Sequence, residues 1–269
     1  MGVLDGGAGA DRRAAVVRAI ALMRAGLASP QPLTVLARSG MFSPFYFHRV
    51  FREITGLTPA RFHAALRMAE ARRLLLQTGL PVRRIGERVG YTSPGTFGTQ
   101  FARLAGLSPA RFREFVQGLG DERAGGRLSI QAGGPIRRPG ATIVLSGVPV
   151  HGSVVLGRLC TDAPAGGGGA GQWTIWTLDG DCRPSPVHLP EVPGPGEYAV
   201  LTVVVPGGVR LADVLVDRPG SYLMGRARVS LPAEDQSAAR VHATLRWPEP
   251  TDPPNLAITP LTGLVPVFG

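Results

Sequence analysis

The sequence contains no lysine, so all 29 of its basic side chains are arginine. It has no run of 18 apolar residues, and no membrane-spanning helix is predicted. The N-terminus lacks the basic and apolar regions of a secretion signal, and Gly6 breaks the myristoylation pattern. Because only two cysteines are present, Cys160 and Cys182, a disulfide framework is excluded and a reducing, cytoplasmic location is expected.

Sequence motifs of enzymes are missing as well. There is no nucleophile elbow, no Walker loop and no cluster with metal-ligand spacing. We therefore expect no catalytic residue, no metal site and no cofactor. The histidines His151, His188 and His242 are scattered, and this favours surface positions or satisfied hydrogen bonds over a ligand set.

Excess positive charge is confined to one half of the chain. Residues 1–118 contain 17 arginines and 6 acidic residues, whereas residues 119–269 contain 12 arginines and 13 acidic residues. Biased codon use explains the missing lysines, but it does not explain this asymmetry. A basic half joined to a near-neutral half is typical of a polyanion-binding module with a partner domain.

Within the basic half, one helical pattern occurs twice. The repeated residues, each identical 50 positions later, are Gly40, Ser43, Pro44, Phe47, Phe51, Gly56, Leu57, Pro59, Ala60, Arg61 and Phe62. Such a repeat indicates two copies of one supersecondary unit. We call residues 32–78 copy one and residues 82–117 copy two. Each copy is predicted to form a helix, a tight turn and a second helix.

Apolar periodicity and capping residues predict seven helices. Ser43 with Pro44, and Ser93 with Pro94, each mark the start of a helix. Gly40 is expected to end the preceding helix in the left-handed conformation. The predicted helices cover residues 11–28, 32–39, 44–54, 59–78, 82–89, 94–104 and 109–117.

Outside the helical region, residues 1–10 are predicted to be a disordered tail and residues 119–126 a linker. Short β-rich runs separated by turn residues then predict an antiparallel sandwich over residues 127–269, serving dimerisation or signal input. The predicted fold class is therefore an all-α double helix-turn-helix domain, over residues 11–118, followed by an all-β antiparallel sandwich. The predicted strands cover residues 128–131, 142–145, 154–159, 173–178, 198–205, 222–229 and 241–247.

The second half offers few functional signals. Its large aromatic residues either line an apolar ligand pocket or fill the sandwich core. These residues are Trp173, Trp176, Tyr198, Tyr222 and Trp247. The run at residues 195–201 resembles a turn-and-strand element of prealbumin-like, carboxypeptidase-regulatory sandwiches.

In a helix-turn-helix, the second helix enters the major groove with its N-terminal side chains against base edges. In copy one this helix begins at Pro44. Arg49 is the expected base reader, because a guanidinium bonds guanine through two donors. His48 is expected to contact a base or a phosphate. Phe45 and Tyr46 either pack on bases or belong to the core.

The corresponding helix of copy two has a poorer outward face. Its predicted base contacts are Gly95, Thr96, Thr99 and Gln100, and we expect them to hold phosphates and sense DNA shape more than they read bases. Helix N-terminal hydroxyls and arginines of both copies supply the remaining affinity. The predicted phosphate contacts are Ser43, Arg52, Arg61, Arg72, Arg83, Arg84, Ser93, Arg103 and Arg111.

Two stretches carry a family resemblance: residues 85–113 of copy two and the helix at residues 64–75. On these motifs, the segment Leu33–Phe115 resembles the DNA-binding domain of the AraC/XylS family of bacterial transcription regulators. The resemblance implies a linker helix between the copies. It implies reading positions at Phe45, His48, Arg49, Gly95, Thr96 and Thr99. Thr99 replaces a frequent arginine, and the domain precedes its partner domain, so the family's usual effector cupin is not implied.

The sequence therefore predicts a non-enzymatic, sequence-specific regulator, activator or repressor, that binds double-stranded DNA and no membrane. RNA polymerase, a small-molecule effector and a second copy of the chain stay open as further partners. One alternative is a DNA-anchored interaction protein whose β domain recruits a partner. Another is a cysteine alkyl-transfer enzyme fused to a DNA module, which is disfavoured because neither Cys160 nor Cys182 has a Pro-Cys-His context.

Overall fold

The computed structural model describes residues 5–124, 141–147, 153–161, 173–178, 186–189, 196–231 and 240–254. The chain divides into two compact units. The first unit contains Met1–Gln117 and Glu249–Leu256, and the second contains Gly118–Pro248 and Ala257–Gly269. A short stretch that begins at Glu249 thus belongs with the helical unit.

Seven helices occur between residues 5 and 119, a range that the structure describes throughout, as the sequence predicts. Six of them begin and end within two residues of their predicted bounds. The helices are α1 (Asp5–Ala25), α2 (Leu33–Arg38), α3 (Pro44–Thr55), α4 (Pro59–Gln77), α5 (Val82–Arg88), α6 (Pro94–Ala105) and α7 (Pro109–Leu119).

The first helix is the exception, because α1 begins at Asp5 rather than at Asp11. Residues 5–10 are therefore helical and not part of a disordered tail. The later turns of α1 bury Val16, Ile20 and Met23 in the core of copy one. Once these turns are formed, extending a helix is far easier than starting one, which offsets the poor propensity of the glycines before Asp11.

Helices α3 and α6 are the second helices of the two predicted helix-turn-helix units, and we call them the reading helices. They have the same length, and each begins after a serine and ends at a glycine. Ser43 accepts a hydrogen bond from the backbone N–H of Tyr46 at 3.3 Å, and Ser93 accepts one from Thr96 at 3.4 Å. Gly56 and Gly106 end the two helices in the left-handed conformation, with φ of 76° and 77°. The repeated sequence therefore produces the same cap at both ends.

A row of three buried phenylalanines holds each copy together. In copy one, the rings of Phe47 and Phe51 are 5.6 Å apart, and Phe62 of α4 lies 5.5 Å from Phe51. In copy two, the equivalent separations from Phe97 to Phe101, and from Phe101 to Phe112, are 5.8 and 5.5 Å. Copy one's core also includes apolar residues of α1 and α2.

The turn before α3 departs from the sequence prediction. The residue in the left-handed conformation is Met41, with φ of 55°, and not Gly40. A Cβ atom on Gly40 would lie 2.5 Å from the Cβ of Ala15. Gly40 is thus required because the turn packs directly on α1. In copy two the left-handed residue is Gly90 itself, with φ of 85°.

The C-terminal stretch of the first unit is bound to α1. The Arg13 guanidinium forms an ion pair with Glu249 and donates a hydrogen bond to the Thr251 hydroxyl at 3.2 Å. Thr251 and Asp252 are buried. The Asp252 carboxylate accepts a hydrogen bond from the Glu249 N–H at 2.7 Å, which closes a tight turn. The chain therefore returns to the helical unit after the β-rich residues that end at Pro248.

In its described residues, the second unit contains two sheets and one short helix. The strands are β1 (Ala141–Ser146), β2 (Ser153–Thr161), β3 (Trp173–Leu178), β4 (Pro186–Leu189), β5 (Gly196–Val205), β6 (Leu223–Leu231) and β7 (Arg240–Thr244). One sheet has the strand order β4-β1-β7, and the other has the order β3-β2-β5-β6.

The all-antiparallel prediction is wrong for one pair of strands, because β1 and β7 run parallel, with Ile143 opposite Val241. These strands are far apart in sequence, so no hairpin turn constrains their direction. Helix α8 (Leu211–Leu215) follows β5, and four of its five residues are buried. The predicted strand at residues 128–131 lies outside the described residues.

Candidate nucleic-acid interface

Helix α3 presents an exposed, mixed surface opposite its buried phenylalanines. Phe45, the second residue of the helix, is 83% exposed, and Met41 in the preceding turn is 96% exposed. Arg49 and Arg52 are exposed and His48 is partly exposed. This surface combines an apolar ring with cationic hydrogen-bond donors. An apolar ring can pack on a thymine methyl group, and cationic donors can bond base edges and phosphates.

The two adjacent aromatic residues of α3 differ in burial. Tyr46 is partly buried against the core of copy one, and its ring meets Phe42 edge-on at 5.1 Å. The guanidinium of Arg49 lies 5.3 Å from the centre of the Tyr46 ring. Tyr46 therefore supports Arg49 by a cation–π contact, and Phe45 is the aromatic residue left free to contact a ligand.

Helix α6 presents small groups where α3 presents large ones. Gly95, Thr96 and Thr99 are exposed. The side chain of Gln100 already accepts a hydrogen bond from Arg103 at 2.8 Å. The outer face of α6 therefore presents hydroxyl groups and backbone without side chains. The side-chain oxygen of Gln100 is hydrogen-bonded within the helix.

The glycines of α6 are not required by packing. A Cβ atom on Gly98 would meet nothing within 4 Å, and one on Gly95 would meet only the Ser93 hydroxyl at 3.8 Å. Glycine within a helix costs about 1 kcal/mol of stability relative to alanine. Since neither glycine relieves crowding in the protein, both leave room for another molecule to approach the helix backbone.

The arginines predicted to hold phosphates fall into three groups. Among the described residues, no ion pair involves Arg52, Arg61, Arg103 or Arg111, all of which are exposed. Arg83 and Arg84 share the carboxylate of Glu87, each at 3.0 Å. Their hydrogen bonds lower the pKa of Glu87, so the three side chains carry one net positive charge at neutral pH.

The prediction of a phosphate contact is wrong for Arg72. This residue is fully buried in the first unit, with 0% of its surface exposed, and its guanidinium cannot reach a ligand at the surface. Arg72 lies on α4 between the buried residues Ala71 and Leu74. The sequence predicts a surface position for Arg72 because the residue is charged and adjacent to Arg73, which is exposed.

The two capping serines combine two functions without conflict. The hydroxyl oxygens of Ser43 and Ser93 accept hydrogen bonds from the helix backbone. Each hydroxyl still has a hydrogen to donate. Both serines are exposed. They are therefore available to a phosphate oxygen at the N-termini of the reading helices, where the helix dipole also favours an anion.

His63 of α4 and Arg113 of α7 occupy equivalent positions and bind the chain segment that precedes each copy, a role that the sequence did not reveal. His63 hydrogen-bonds through Nε2 to the carbonyl of Leu27 at 3.1 Å. Arg113, 50 positions later, donates to the carbonyls of Leu75 and Leu80 at 3.3 and 2.6 Å. Burial and the neighbouring charge of Arg67 lower the pKa of His63. The side chain at this position is therefore an imidazole in copy one and a guanidinium in copy two.

In the second unit, two of the predicted pocket residues differ in burial. Tyr222 is buried and donates its hydroxyl to Asp217 at 2.6 Å, whereas Trp247 is 51% exposed. The remaining predicted pocket side chains, those of Trp173, Trp176 and Tyr198, lie outside the described residues. Cys160 pairs with Ala199 between β2 and β5, and Cys182 lies outside the described residues.

Two further findings concern the described residues only. They contain no group of three or more histidine, cysteine, aspartate or glutamate side chains that could hold a metal ion. Nor do they contain a helix with the length and apolar character of a membrane span.

Comparison with protein families settles the type of domain. Residues 36–114 match the family described as a helix-turn-helix domain. The chain carries an AraC-type helix-turn-helix domain. The match includes both reading helices and α4, and it confirms the resemblance that the repeated sequence shows. No curated protein matches the chain.

Solved structures with AraC-type domains are similar to this part of the chain. The C-terminal domain of AraT, a response regulator from Geobacillus stearothermophilus, is 31% identical, with 38% of this chain and 84% of that one covered and a TM-score of 0.36. An AraC-type regulator from Chromobacterium violaceum is 26% identical over 37% and 89%, with a TM-score of 0.36. The DNA-binding domain of AdpA, solved with a target DNA, is 28% identical over 38% and 93%, also with a TM-score of 0.36.

Most of the positions at which the family resemblance implies DNA contacts lie on the exposed faces of α3 and α6. Of the positions that the resemblance implies, Phe45, Arg49, Gly95, Thr96 and Thr99 are exposed, and His48 is partly exposed. Helix α1 and the stretch at residues 249–254 lie outside the matched residues. Helix α1 packs on the core of copy one, and the stretch at residues 249–254 binds α1 through Arg13.

Proposed function

We propose that this chain is a transcription regulator whose two helix-turn-helix units bind adjacent major-groove segments of promoter DNA. The observation that carries the proposal is the pair of equally capped helices, α3 and α6, each with a buried phenylalanine row and an exposed opposite face. Helix α4 joins the copies and, at 19 residues, is about 28 Å long. That length is comparable with the roughly 34 Å between successive major-groove faces.

Arginines supply the part of the affinity that does not depend on sequence. Arg61 and Arg111 occupy the same position in the first turns of α4 and α7, and both are exposed. Together with Arg52, Arg103 and the Arg83–Arg84 pair, they neutralise phosphates and release counterions. Because this contribution is electrostatic, binding weakens steeply as salt concentration rises.

Copy one supplies most of the choice of sequence. Arg49 is positioned for two hydrogen bonds to a guanine, and its stacking on Tyr46 reduces the entropy that it loses on binding. Phe45 packs on the methyl groups of thymine, and His48 donates to a base or a phosphate. These three side chains form the reading face of α3.

Copy two supplies position more than sequence. Thr96 and Thr99 donate to phosphates or bases, and the bare backbone at Gly95 and Gly98 admits the DNA backbone. Selectivity in this half of the site comes chiefly from DNA shape. Gln100 contributes a base contact only if DNA displaces Arg103 from its side chain.

The β-rich unit serves dimerisation or signal input, and the full arrangement of its two sheets is a sandwich. A second copy, a small-molecule effector and RNA polymerase are the partners consistent with such a role. The chain passes between this unit and the helical unit after Gln117, after Pro248 and after Leu256. A ligand that changes the β-rich unit is therefore linked to the DNA-binding unit by more than one stretch of chain.

Selection of duplexes from a random-sequence pool by the full-length protein tests the proposal. We expect a selected duplex to bind at least about a thousandfold more tightly than a scrambled duplex at physiological salt, in line with specific regulators. Affinity for both duplexes should fall as salt rises. A protein that binds the two duplexes equally at every salt concentration is not a sequence-specific regulator, and the proposal would then be abandoned.

A further inference from the structure

Arg67 lies in the middle of α4 and binds the backbone of the loop that follows α1. Its Nε donates to the carbonyl of Leu27 at 2.8 Å, and its terminal nitrogen donates to the carbonyl of Ala28 at 3.3 Å. The carbonyl of Leu27 is also the partner of His63. Two side chains of α4, one turn apart, therefore hold the same loop.

The same guanidinium contacts copy two. Its carbon lies 5.9 Å from the centre of the Tyr91 ring, within the range of a cation–π contact. The Tyr91 ring lies 5.5 Å from that of Phe97, the first member of copy two's phenylalanine row. Arg67 is thus connected through one aromatic side chain to the core beneath the reading helix α6.

The backbone of copy two also approaches the loop directly. Gly90, beside Tyr91, has φ of 85°, and a Cβ atom on it would lie 2.2 Å from the carbonyl oxygen of Ala28. On the other side of the loop, Leu27 packs against the core of copy one. We call this set of contacts the Arg67 junction: Leu27, Ala28, Arg67, Gly90 and Tyr91.

The junction has no counterpart in the repeated pattern. Tyr91 corresponds to Met41, which is 96% exposed in copy one. The residue 50 positions after Arg67 is Gln117, at the end of the first unit. The loop at Leu27 and Ala28 precedes the residues that match the helix-turn-helix family. Within the repeat this contact therefore occurs once, and it ties copy two to copy one.

We propose that Arg67 is a positioning residue that fixes the orientation of α6 relative to α3, and with it the spacing between the two half-sites that the protein accepts on DNA. The part of this inference that concerns DNA rests on the proposed function. Arg67 need not touch DNA for this role. It holds the loop of α1 and the turn before α6 together, so rotation of copy two about α4 requires these contacts to break.

A distance measurement without DNA tests the junction itself. Nitroxide labels at Glu53→Cys and Arg103→Cys place one probe on each reading helix at equivalent exposed positions, in a background with Cys160→Ser and Cys182→Ser. Pulsed electron resonance then gives the distribution of distances between α3 and α6. We expect a narrow distribution in this reference protein and a broader or displaced one when Arg67→Ala is added.

The matched control is Arg73→Ala on the same helix. Arg73 is exposed and pairs with Glu70 and Gln77 of α4, so its removal deletes a positive charge without touching the junction. It should leave the distance distribution of the reference protein unchanged. An Arg67→Ala protein whose distribution matches that of Arg73→Ala would overturn the inference.

Two further variants cover the case in which Arg67→Ala does not fold. Tyr91→Leu removes the ring beneath the guanidinium and should broaden the distribution by a smaller amount. Arg67→Lys keeps the positive charge and a single donating nitrogen. Its distance distribution should be narrower than that of Arg67→Ala. If Tyr91→Leu and Arg67→Lys both leave the reference distribution unchanged, the inference is also overturned.

A second measurement addresses DNA spacing. Duplexes selected by the parent protein receive one or two extra base pairs between the half-sites. The parent and Arg73→Ala should lose affinity by about tenfold or more, whereas Arg67→Ala should lose much less, because its second reading helix can move. An equal spacing penalty in Arg67→Ala contradicts the inference. If the parent selects no duplex, the proposed function fails, and the distance measurement alone decides the role of Arg67.

Discussion

Copy one and copy two have the same interior and different exteriors. The phenylalanine rows differ by at most 0.2 Å in ring separation, and the caps of α3 and α6 are formed by the same residues. On the outer face, Phe45 and Arg49 of copy one are replaced by Gly95 and Thr99 in copy two. The residues that build the helix-turn-helix are thus retained in both copies, and those that would meet DNA are not.

This difference indicates a division of labour. A guanidinium stacked on Tyr46 is suited to recognising guanine, whereas two hydroxyl groups and two glycines are suited to approaching a phosphate backbone. The two copies also differ in what holds them in place. Copy one packs on α1 through Gly40, and copy two is tied to the same region through Arg67 and Tyr91.

The largest expected effect tests whether the interiors are equivalent. Phe47→Ala and Phe97→Ala each remove a fully buried ring. Each should lower the free energy of unfolding by about 3–5 kcal/mol, through lost apolar burial and the cavity that remains. Denaturation followed by the helical circular dichroism signal measures both changes. If one variant is nearly as stable as the parent, the two interiors do not contribute equally.

The second prediction concerns the exteriors. Arg49→Ala should cost about 1–3 kcal/mol of binding free energy to a selected duplex and should relax the preference for guanine. Thr99→Ala, at the equivalent position, should cost less and change the preferred sequence little. Affinities for the selected duplex and its single-base variants give both quantities. Equal losses in the two variants would remove the proposed division of labour.

A smaller effect is expected for Gly98→Ala, which should change the stability of the protein and its affinity for DNA in opposite directions. Gly98→Ala should raise the free energy of unfolding by about 0.5–1 kcal/mol, because alanine is the better helix residue and open space surrounds the new methyl group. The same change should weaken DNA binding if the DNA backbone approaches α6 there.

Gly118→Ala near the end of α7 is the control for this change. A Cβ atom at Gly118 also meets nothing within 4 Å. This variant should gain stability without a change in affinity. Unaltered DNA binding by Gly98→Ala would show that the glycine is not a point of close approach.

The smallest effect depends on pH. His63 has a lowered pKa in the folded protein because it is buried and lies near Arg67. As pH falls below about 6.5, the unfolded chain takes up this proton first. The contribution of neutral His63 is therefore complete above that pH and is lost as pH falls through the folded pKa.

Unfolding of the parent between pH 7 and 5 should accordingly show a larger loss of stability than unfolding of His63→Gln. Arg113→Gln, at the equivalent position of copy two, removes no imidazole and should not alter the pH dependence. Parallel pH curves for the parent and His63→Gln would exclude the effect.

The helical unit is largely predictable from the sequence because its signals are local. Each of Ser43, Ser93, Gly56 and Gly106 specifies a helix end by its own chemistry, and the repeat confirms each assignment a second time. The reading helices therefore follow from residue type and spacing alone.

The errors come from contacts between residues that are distant in sequence. The burial of Arg72 and the hydrogen bond between His63 and the carbonyl of Leu27 depend on tertiary packing. So does the return of Glu249 to Arg13 across 236 positions. In the second unit, the parallel pairing of β1 with β7 and the short strand β4 are also non-local. The exposure of Phe45 was undecided for the same reason, since the sequence does not show which of two adjacent aromatic residues the core accepts.

The central claim is that copy one reads bases and copy two positions the protein. Methylation interference on a selected duplex tests it most directly, because methylation of guanine N7 blocks an arginine donor in the major groove. The account predicts interference at a guanine in one half-site only, and its disappearance with Arg49→Ala. Equal interference in both half-sites, or interference that persists with Arg49→Ala, would contradict it.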